Sequence, residues 1–599
     1  MCLRLRKPAE EPEEETYTDE MLDDYTSPAD VKSISHDLKT TMRQLTVRLL
    51  GTGVSCAVLV LAAFICESGF TPGNTVLSGA IGYAVVSLIF LLVAVGFCGR
   101  TVRNGIRSLL ELRANSDSAA SVAVLAVLIQ TLSAFFYIDT LAAGQIHLYA
   151  GIAAGILLLN TLGKLTMVRR IYSNFRFVAS REDKYAVRLV DDHNAALKLT
   201  GSTVVSNPAV AYQQKADFLK RFLQISYEPD PAETASQALA PVGLLASLAL
   251  CVLALIVTGD PALSITAFAA ACCVGTAVMN MLAVNLPVSR LSQRLRRAGA
   301  MVAGYEGIRR MSAVNAVLVD AAELFPRDTV VLNGVKPFAD ENLEDAILAA
   351  GTMMQTVGGP LCGVFEQVLN EFEGELPEVT EARYDERGGI VGTVDGHKVL
   401  FGSHALLHSF GISTPGQMEE QKYTNRNRQV LYVAMDGVLC AMFILTYNAD
   451  RKKRADIREM EMNGVAMVVR STDVNLNPQF LGALFGVDPS GIQVIPAGAD
   501  TFCDTLITET AGRVDAYVAT KGRAESMMRT VSTSIDEKKN ISFIVAMQNA
   551  AVVIGFVLVA FLTFISGVKQ ISTLALVIYE LFWVAAAVFV PKLKNKFNK

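Results

Sequence analysis

No two of the ten cysteines form a C-x-x-C pair. Cys2, Cys56, Cys66, Cys98, Cys251, Cys272, Cys273, Cys362, Cys440 and Cys503 are scattered, most of them in hydrophobic runs or in a long soluble stretch. That pattern argues against a disulfide framework and against a structural zinc site. A surplus of positive charge is also missing. With 53 Lys and Arg against 58 Asp and Glu the net charge is -5, so nothing calls for nucleic acid as a partner. A cleavable signal peptide is not expected either, because the segment ahead of the first apolar run is long and acidic. It holds Glu10–Glu15, Asp19, Glu20, Asp23 and Asp24 with few apolar residues among them. Residues 1–40 are therefore expected to form a disordered acidic tail.

Basic residues are nearly absent from one set of short loops as well. Residues 67–74, 139–147 and 259–262 contain no Lys or Arg, and 567–572 contain only Lys569. These loops separate eight hydrophobic runs: Val47–Cys66, Thr75–Cys98, Ala119–Ile138, Leu148–Leu162, Ala238–Val257, Leu263–Leu286, Phe543–Phe564 and Thr573–Val590. At roughly 20 residues each, such runs are long enough to cross a bilayer. The chain has 599 residues, 51% of them hydrophobic, and a mean hydropathy of +0.36, which fits a polytopic membrane protein with room for soluble domains. The positive-inside rule then places both termini and the large inserts in the cytoplasm of a multi-pass cell-membrane protein.

Between the sixth and seventh runs, short β-branched segments alternate with helical ones. Asn315–Val319 ends at Asp320, Val465–Val469 leads into Arg470-Ser471-Thr472-Asp473, and Gly491–Ile495 and Asp515–Thr520 read as further strands. This alternation predicts a doubly wound parallel sheet with its ligands at the carboxyl ends of the strands, where Asp320 and Asp473 fall. Within it, Val394-Asp395-Gly396-His397 and Met435-Asp436-Gly437-Val438 place Asp-Gly turns between alternating apolar residues, a strong hairpin signal. A β-rich domain is thus expected as an insert in the α/β domain.

Several local sequences, taken in order, carry a family resemblance. They are Arg103-Asn104-Gly105-Ile106 through Asn115-Ser116-Asp117, then Leu162-Gly163-Lys164, then Arg387-Gly388-Gly389-Ile390 with Val394-Asp395-Gly396 and Phe401-Gly402-Ser403, then Asn448-x-x-Arg451, and Lys539-Asn540-Ile541-Ser542-Phe543. With this order of spans and loops, the chain resembles a heavy-metal-transporting P-type ATPase of the zinc, cadmium and copper class from Val47 to Lys594. The resemblance implies an α-helical polytopic membrane domain of eight transmembrane helices and a cytoplasmic, HAD-like, doubly wound α/β domain with an inserted α+β nucleotide-binding-like domain. It also implies the boundaries. Transmembrane helices occupy 41–167, 238–288 and 541–599, the last with a basic C-terminus. A reduced actuator-like loop occupies 168–237, a phosphorylation-like domain 289–335 and 447–540, and the nucleotide-binding-like insert 336–446.

The departures from the family pattern bear on function. Its phosphorylation loop reads Asp-Lys-Thr-Gly-Thr, where this chain has Asp320-Ala321-Ala322-Glu323-Leu324. An aspartyl phosphate needs a nucleophilic carboxylate, Mg²⁺ and cationic or hydroxyl groups on the γ-phosphate, and only the carboxylate remains. Taken alone, Asp320 reads as a strand-end cap; in the family layout it is the nucleophile position. Ser471-Thr472-Asp473 stands for Thr-Gly-Asp, Gly359-Pro360 for the His-Pro of the nucleotide pocket, and Ala497-Gly498-Ala499-Asp500 for the Mg²⁺-holding Gly-Asp-Gly-x-Asn-Asp. Thr200-Gly201-Ser202 lacks the glutamate of the actuator's Thr-Gly-Glu, which positions the water that removes the phosphate. The resemblance thus names Asp320, Ser471 and Asp473 as catalytic positions and Gly389, Gly402 and Pro360 as nucleotide-binding ones, with ATP and Mg²⁺ as cofactors of an active protein and none of an inactive one.

The membrane site is altered too. Cys-Pro-Cys of the sixth span reads Leu286-Pro287-Val288, so the proline expected to break the helix stays while both thiolates are gone. Glu580 lies deep in the last run, where an ionisable group is a functional candidate by default. Gln548 stands where the zinc branch has a lysine, and Asn285 completes a candidate set for a divalent cation. The alternative is a protonated Glu580 that ties two helices together through Gln548 or Asn549. Three readings follow: a degenerate P-type ATPase-like protein with a regulatory, sensing or scaffolding role and an unknown protein partner, an active metal-cation exporter phosphorylated on Asp320, or a protein that binds ATP at the Gly389 and Gly402 hairpin without hydrolysing it.

Overall fold

The computed structural model of the protein describes residues 24–68, 79–201, 203–277, 279–339 and 343–597. The acidic run Glu10–Glu15 lies outside them. Residues 31–40 of the segment expected to be a disordered tail are helical, as the start of the helix Val31–Glu67. The Asp24 carboxylate accepts hydrogen bonds from the backbone N–H groups of Leu223 and Gln224 (2.9 and 3.3 Å). The Tyr25 ring is buried edge-on to Phe175, with the centroids 5.4 Å apart.

Among the described residues, nine helices build the apolar region: α1 (Val31–Glu67), α2 (Ala80–Phe97), α3 (Ser116–Ser133), α4 (Ala150–Val178), α5 (Pro231–Thr258), α6 (Pro261–Val274), α7 (Asn280–Arg297), α8 (Ala524–Phe564) and α9 (Thr573–Phe597). Seven helices of the described residues are long and apolar enough to cross a membrane, and α6 and α7 are not among them. The sixth expected span is therefore not one helix. The 14 residues of α6 reach only about 21 Å, less than a hydrocarbon core, and the helix stops at Gly275. The chain resumes as α7 at Asn280. The expected break at Pro287 is not found, since that residue lies inside α7. The break comes a dozen residues earlier, where the Thr276 hydroxyl donates to the Cys272 carbonyl of its own helix and to the Ala119 carbonyl of α3 (2.9 and 3.2 Å).

The soluble region contains a pair of sheets. The first has eight strands: β1 (Lys184–Leu189), β2 (Val210–Lys220), β3 (Ala300–Val302), β4 (Ala316–Asp320), β11 (Ala466–Ser471), β12 (Ile492–Pro496), β13 (Ala511–Asp515) and β14 (Val518–Thr520). Their order is β12-β11-β4-β2-β1-β14-β3, with β13 following β4 along the same edge of β2. Strands β12, β11, β4, β2 and β13 run parallel, whereas β1, β14 and β3 pair antiparallel. The expected parallel sheet is thus mixed. More consequential is the origin of β1 and β2. Both belong to the short loop 168–237, which the family layout sets apart as its own domain. Here they are hydrogen-bonded into the sheet that carries Asp320, in the registers Val210↔Ala316 and Ala211↔Val317. The helix His193–Leu199 of that loop packs on one face of the sheet, where Ala196 and Leu199 meet Leu318 and Val468.

The second sheet is built from β5 (Val330–Pro337), β6 (Val379–Asp385), β7 (Gly389–Val394), β8 (His397–Gly402), β9 (Arg428–Met435) and β10 (Val438–Tyr447). It is antiparallel, in the order β5-β10-β9-β8-β7-β6. Both Asp-Gly hairpins form as expected. Asp395 and Gly396, like Asp436 and Gly437, have positive φ at both turn positions, the type I′ geometry that suits the strand twist. The sheet starts at Val330, six residues before the boundary read from sequence. Phe325, Tyr447, Phe480 and Phe485 form a buried aromatic group between the sheets, with centroids 5.1–5.9 Å apart.

Candidate functional site

Strands β4 and β11 lie side by side with Asp320 opposite Arg470, so the last turn of each strand projects these two side chains to one rim. The Asp320 carboxylate has both oxygens engaged. One accepts from the Ala322 N–H (2.8 Å) and so caps the short helix Ala321–Leu324, and the other accepts from the Arg470 guanidinium (2.8 Å). Arg470 also donates to Asp504 at 2.5 Å, and Asp504 accepts from the Gly498 N–H at 2.9 Å. The side chains of Arg470 and Asp320 are only 17% and 14% exposed, so this is a largely desolvated acid–base–acid chain.

Beside it, burial pushes the Glu323 carboxyl up to about 8, and the charge of Asp320 adds to the effect. Glu323 accepts from the Gln213 amide of β2 (2.6 Å), whose oxygen accepts in turn from the Thr520 hydroxyl (2.9 Å). The buried Lys453 ammonium, its pKa lowered by burial, donates to the carbonyls of Glu323 and Leu324 (2.8 Å each). Arg470, Glu323, Gln213 and Lys453 are not among the residues that the sequence singles out. Only the adjacency of Arg470 to Ser471, at the end of a strand, signals one of them.

Ser471 and Asp473 come to the same rim but face inward. The Asp473 carboxyl accepts from the Tyr447 hydroxyl (2.5 Å) and the Asn475 N–H (3.0 Å), while burial drives its pKa up to about 6. The Ser471 hydroxyl is taken up by the backbone of Asp473. Replacing Tyr447 by phenylalanine strips a buried acceptor of its donor. The expected loss is about 2 kcal/mol, read from denaturant unfolding.

Two glycines beside the residues expected to hold a nucleotide, Gly359 and Gly388, pack against this rim. The Thr472 hydroxyl donates to the Gly358 carbonyl (2.9 Å), and a Cβ on Gly359, whose φ is +112°, would fall 1.8 Å from that hydroxyl. Pro360 follows directly. A Cβ on Gly388 would meet Val474 at 2.7 Å. Gly389 and Gly402 are register partners in β7 and β8, and a Cβ on either would strike the other's strand and Leu406. Close packing accounts for these glycines. Asp500 does not reach the rim: it caps the helix Thr501–Thr508 and pairs with Lys198 at 3.0 Å. Thr200 ends the helix His193–Leu199, with its hydroxyl on the Ala196 carbonyl, and Ser202 lies outside the described residues. The donor set does not suit Mg²⁺ as it stands. Asp320 and Asp504 share one guanidinium, and a divalent cation would have to displace it.

Among the helices, the segments around Asn115 and Lys164 that carry the resemblance do meet. Asn115 caps α3, and Asp117 accepts from Lys164 of α4 at 2.5 Å and from Asn160 at 2.9 Å. At Gly163, α4 passes so near the break that a Cβ would lie 2.3 Å from the Met281 Cβ. Glu580 and Gln548 line one small cavity of about 20 Å³ between the break, α8 and α9, together with Thr276, Met279, Tyr579 and Trp583. Asn285 is not brought there. It is buried on α7, where its amide donates to the Met281 carbonyl (2.9 Å). Among the described residues no three His, Cys, Asp or Glu side chains gather as a metal site.

No family model matches the chain. Over 237 residues, 39% of its length, it is 22% identical to a copper-exporting P-type ATPase of Legionella pneumophila subsp. pneumophila, and the match spans 31% of that relative. Among solved structures it is similar to a zinc-transporting PIB-type ATPase (12% identity, 90% of this chain and 100% of that one, TM-score 0.44). It is similar to a second structure of a zinc-transporting PIB-type ATPase, in another state (14% identity, 85% and 98%, TM-score 0.39). The chain is thus similar, at long sequence distance and over 39% of its length, to a copper-exporting P-type ATPase, of whose length it spans about a third.

Proposed function

We propose that this protein keeps the build of a P-type metal exporter but does not turn over ATP through an aspartyl phosphate, and that it works as a regulatory, sensing or scaffolding protein of the membrane, with its termini and soluble domains in the cytoplasm. The observation that carries this reading is the shared eight-stranded sheet. A loop that positions water on a phosphate must approach the rim and leave it. In this chain β2 is hydrogen-bonded beside β4 and β13, β1 beside β14, and Gln213 sits on Glu323 three residues past Asp320. Moving the loop away breaks all three pairings and strips the Glu323 carboxyl of a donor. The pairing of Asp320 with Arg470 points the same way.

The test is labelling of the purified full-length protein with radioactive phosphate from ATP in the presence of Mg²⁺. The expected result is no acid-stable label above that of Asp320→Asn. Label on the wild type that the substitution removes would overturn the reading.

A second reading, an exporter of divalent metal driven by ATP, draws on one observation: an acidic side chain in a membrane cavity beside a broken helix. It predicts ATP hydrolysis in liposomes that rises with zinc, cadmium, copper, cobalt or manganese. A flat response to all five removes it.

A further inference from the structure

We propose that His404 and His408 form a two-histidine site for a divalent transition-metal ion, of the zinc, copper and nickel kind, on the surface of the inserted β-rich domain. The site shares no residue with the Asp320 rim or with the Glu580 cavity, so it stands or falls apart from the reading given above.

The inference starts from spacing. The chain has six histidines, and two of them fall four residues apart on one short helix, His404–Ser409. Residues four apart share a helix face, and a pair of histidines so placed is the arrangement by which a helix grips zinc. In this protein the two rings do stand side by side, with centroids 5.8 Å apart and planes within 28° of parallel. Two imidazoles on one tetrahedral zinc, at a metal–nitrogen distance of about 2.0 Å, have centroids about 5 Å apart. A small turn of either side chain closes the difference. Both side chains are exposed, so an ion in solution reaches them.

The pair is also held in place. On the other side of the helix Leu406 and Leu407 are fully buried, packed with Leu400, Val430 and Tyr432 of the sheet, so the helix cannot roll. The Ser403 hydroxyl caps its first turn by accepting from the Leu406 N–H (3.4 Å). His404 is fixed further by a hydrogen bond between its Nδ1 and the Thr414 hydroxyl. A metal-bound imidazole has its second nitrogen engaged in this way, which sets the ring and leaves Nε2 for the ion. Burial raises the Glu420 carboxyl and the neighbouring His404 offsets part of the rise, so an acidic group lies within electrostatic reach of the pair.

The donor set decides the class of ion. Imidazole suits zinc, copper and nickel, whereas magnesium and calcium take oxygen ligands. Among the described residues no third His, Cys, Asp or Glu side chain joins the two rings, which leaves the other coordination positions to water. Structural zinc sites close all four positions with protein ligands. A half-open site binds less tightly and exchanges its ion, as a protein that follows a changing metal level requires.

The experiment is equilibrium dialysis of the full-length, detergent-solubilised protein against micromolar Zn²⁺ in millimolar Mg²⁺, with bound zinc read by atomic absorption. Zinc held elsewhere, at cysteines or in the membrane, is common to all variants and cancels in the difference. The wild type is expected to hold one zinc per chain more than His404→Ala. His408→Ala and the double variant should lose that same ion and no more, because removing either arm breaks a chelate. His36→Ala, which removes an exposed histidine of the first helix, should keep it. Equal zinc in the wild type and the two single variants, or losses that add in the double variant, would overturn the proposal. Far-ultraviolet circular dichroism confirms that each variant is folded, and His404→Gln and His408→Gln carry the test should an alanine variant not be. Phosphate labelling at Asp320 is a separate readout and is unaffected by either result.

Discussion

Replacing Arg470 by alanine is expected to destabilise the soluble α/β domain by about 3 kcal/mol, because breaking a buried ion pair leaves an uncompensated charge. Two charges are stranded in this case. Asp320 keeps only the Ala322 N–H and Asp504 only the Gly498 N–H, at side-chain exposures of 14% and 24%. Some water can reach both, which places the cost near the low end for a buried pair. Arg470→Lys should lose less, since an ammonium can face one carboxylate but cannot span both with the planar fork of a guanidinium. The triple variant Asp320→Asn, Arg470→Ala, Asp504→Asn removes all three charges together and should regain most of the loss, as coupled residues do in a mutant cycle. Denaturant unfolding of the detergent-solubilised protein measures each value. An Arg470→Ala protein as stable as the wild type would mean that the acid–base–acid chain is solvated and contributes nothing.

The same rim shows what can be read from the sequence and what cannot. Asp320 at a strand end, and the Asp395-Gly396 and Asp436-Gly437 hairpins, are local features set by turn chemistry and alternation, and all three appear where expected. Arg470 lies at the end of a strand that is legible, but its meaning depends on register with a strand 150 residues away. The partners of β1 and β2 are further still from local signals. The family layout places Lys184–Leu189 and Val210–Lys220 with their loop in a separate domain, and nothing in those residues states that Val210 pairs with Ala316 or that Gln213 meets Glu323. In the membrane a local signal misleads instead. The proline points to a helix break at Pro287, whereas the chain leaves the helix at Gly275. The Asn285 amide on the Met281 carbonyl and the tight packing of Met281 on Gly163 keep the helix around the proline in place. Asn285, expected in one candidate set with Glu580 and Gln548, lies on α7 with its amide on the Met281 carbonyl and does not line the cavity.

Glu323 gives the rim a pH dependence that can be isolated. The carboxyl lies at about 8 in the folded protein, against 4.5 when unperturbed. Across that window the folded protein holds a proton that the unfolded chain has released, so stability falls as pH rises, by about 1.4 kcal/mol per pH unit for one proton. Its contribution is fully present below the unfolded value, is lost progressively up to the folded value, and changes no further above it. Glu323→Gln keeps an oxygen for the Gln213 amide and cannot ionise. The variant should therefore gain on the wild type by about 2 kcal/mol as pH is raised from roughly 6 to roughly 8. Asp473, raised to about 6, is still half protonated at the lower limit, but it titrates in both proteins and cancels in the difference. His147, whose pKa is raised by its bond to Glu67 in spite of burial, weakens the fold in the same direction, but it does so in both proteins and cancels in the difference. Unfolding midpoints of the two proteins, measured in parallel at several pH values, decide the matter. Parallel curves would mean that Glu323 is already ionised against Lys453, and the small loop would then be held to the sheet by its backbone pairing alone.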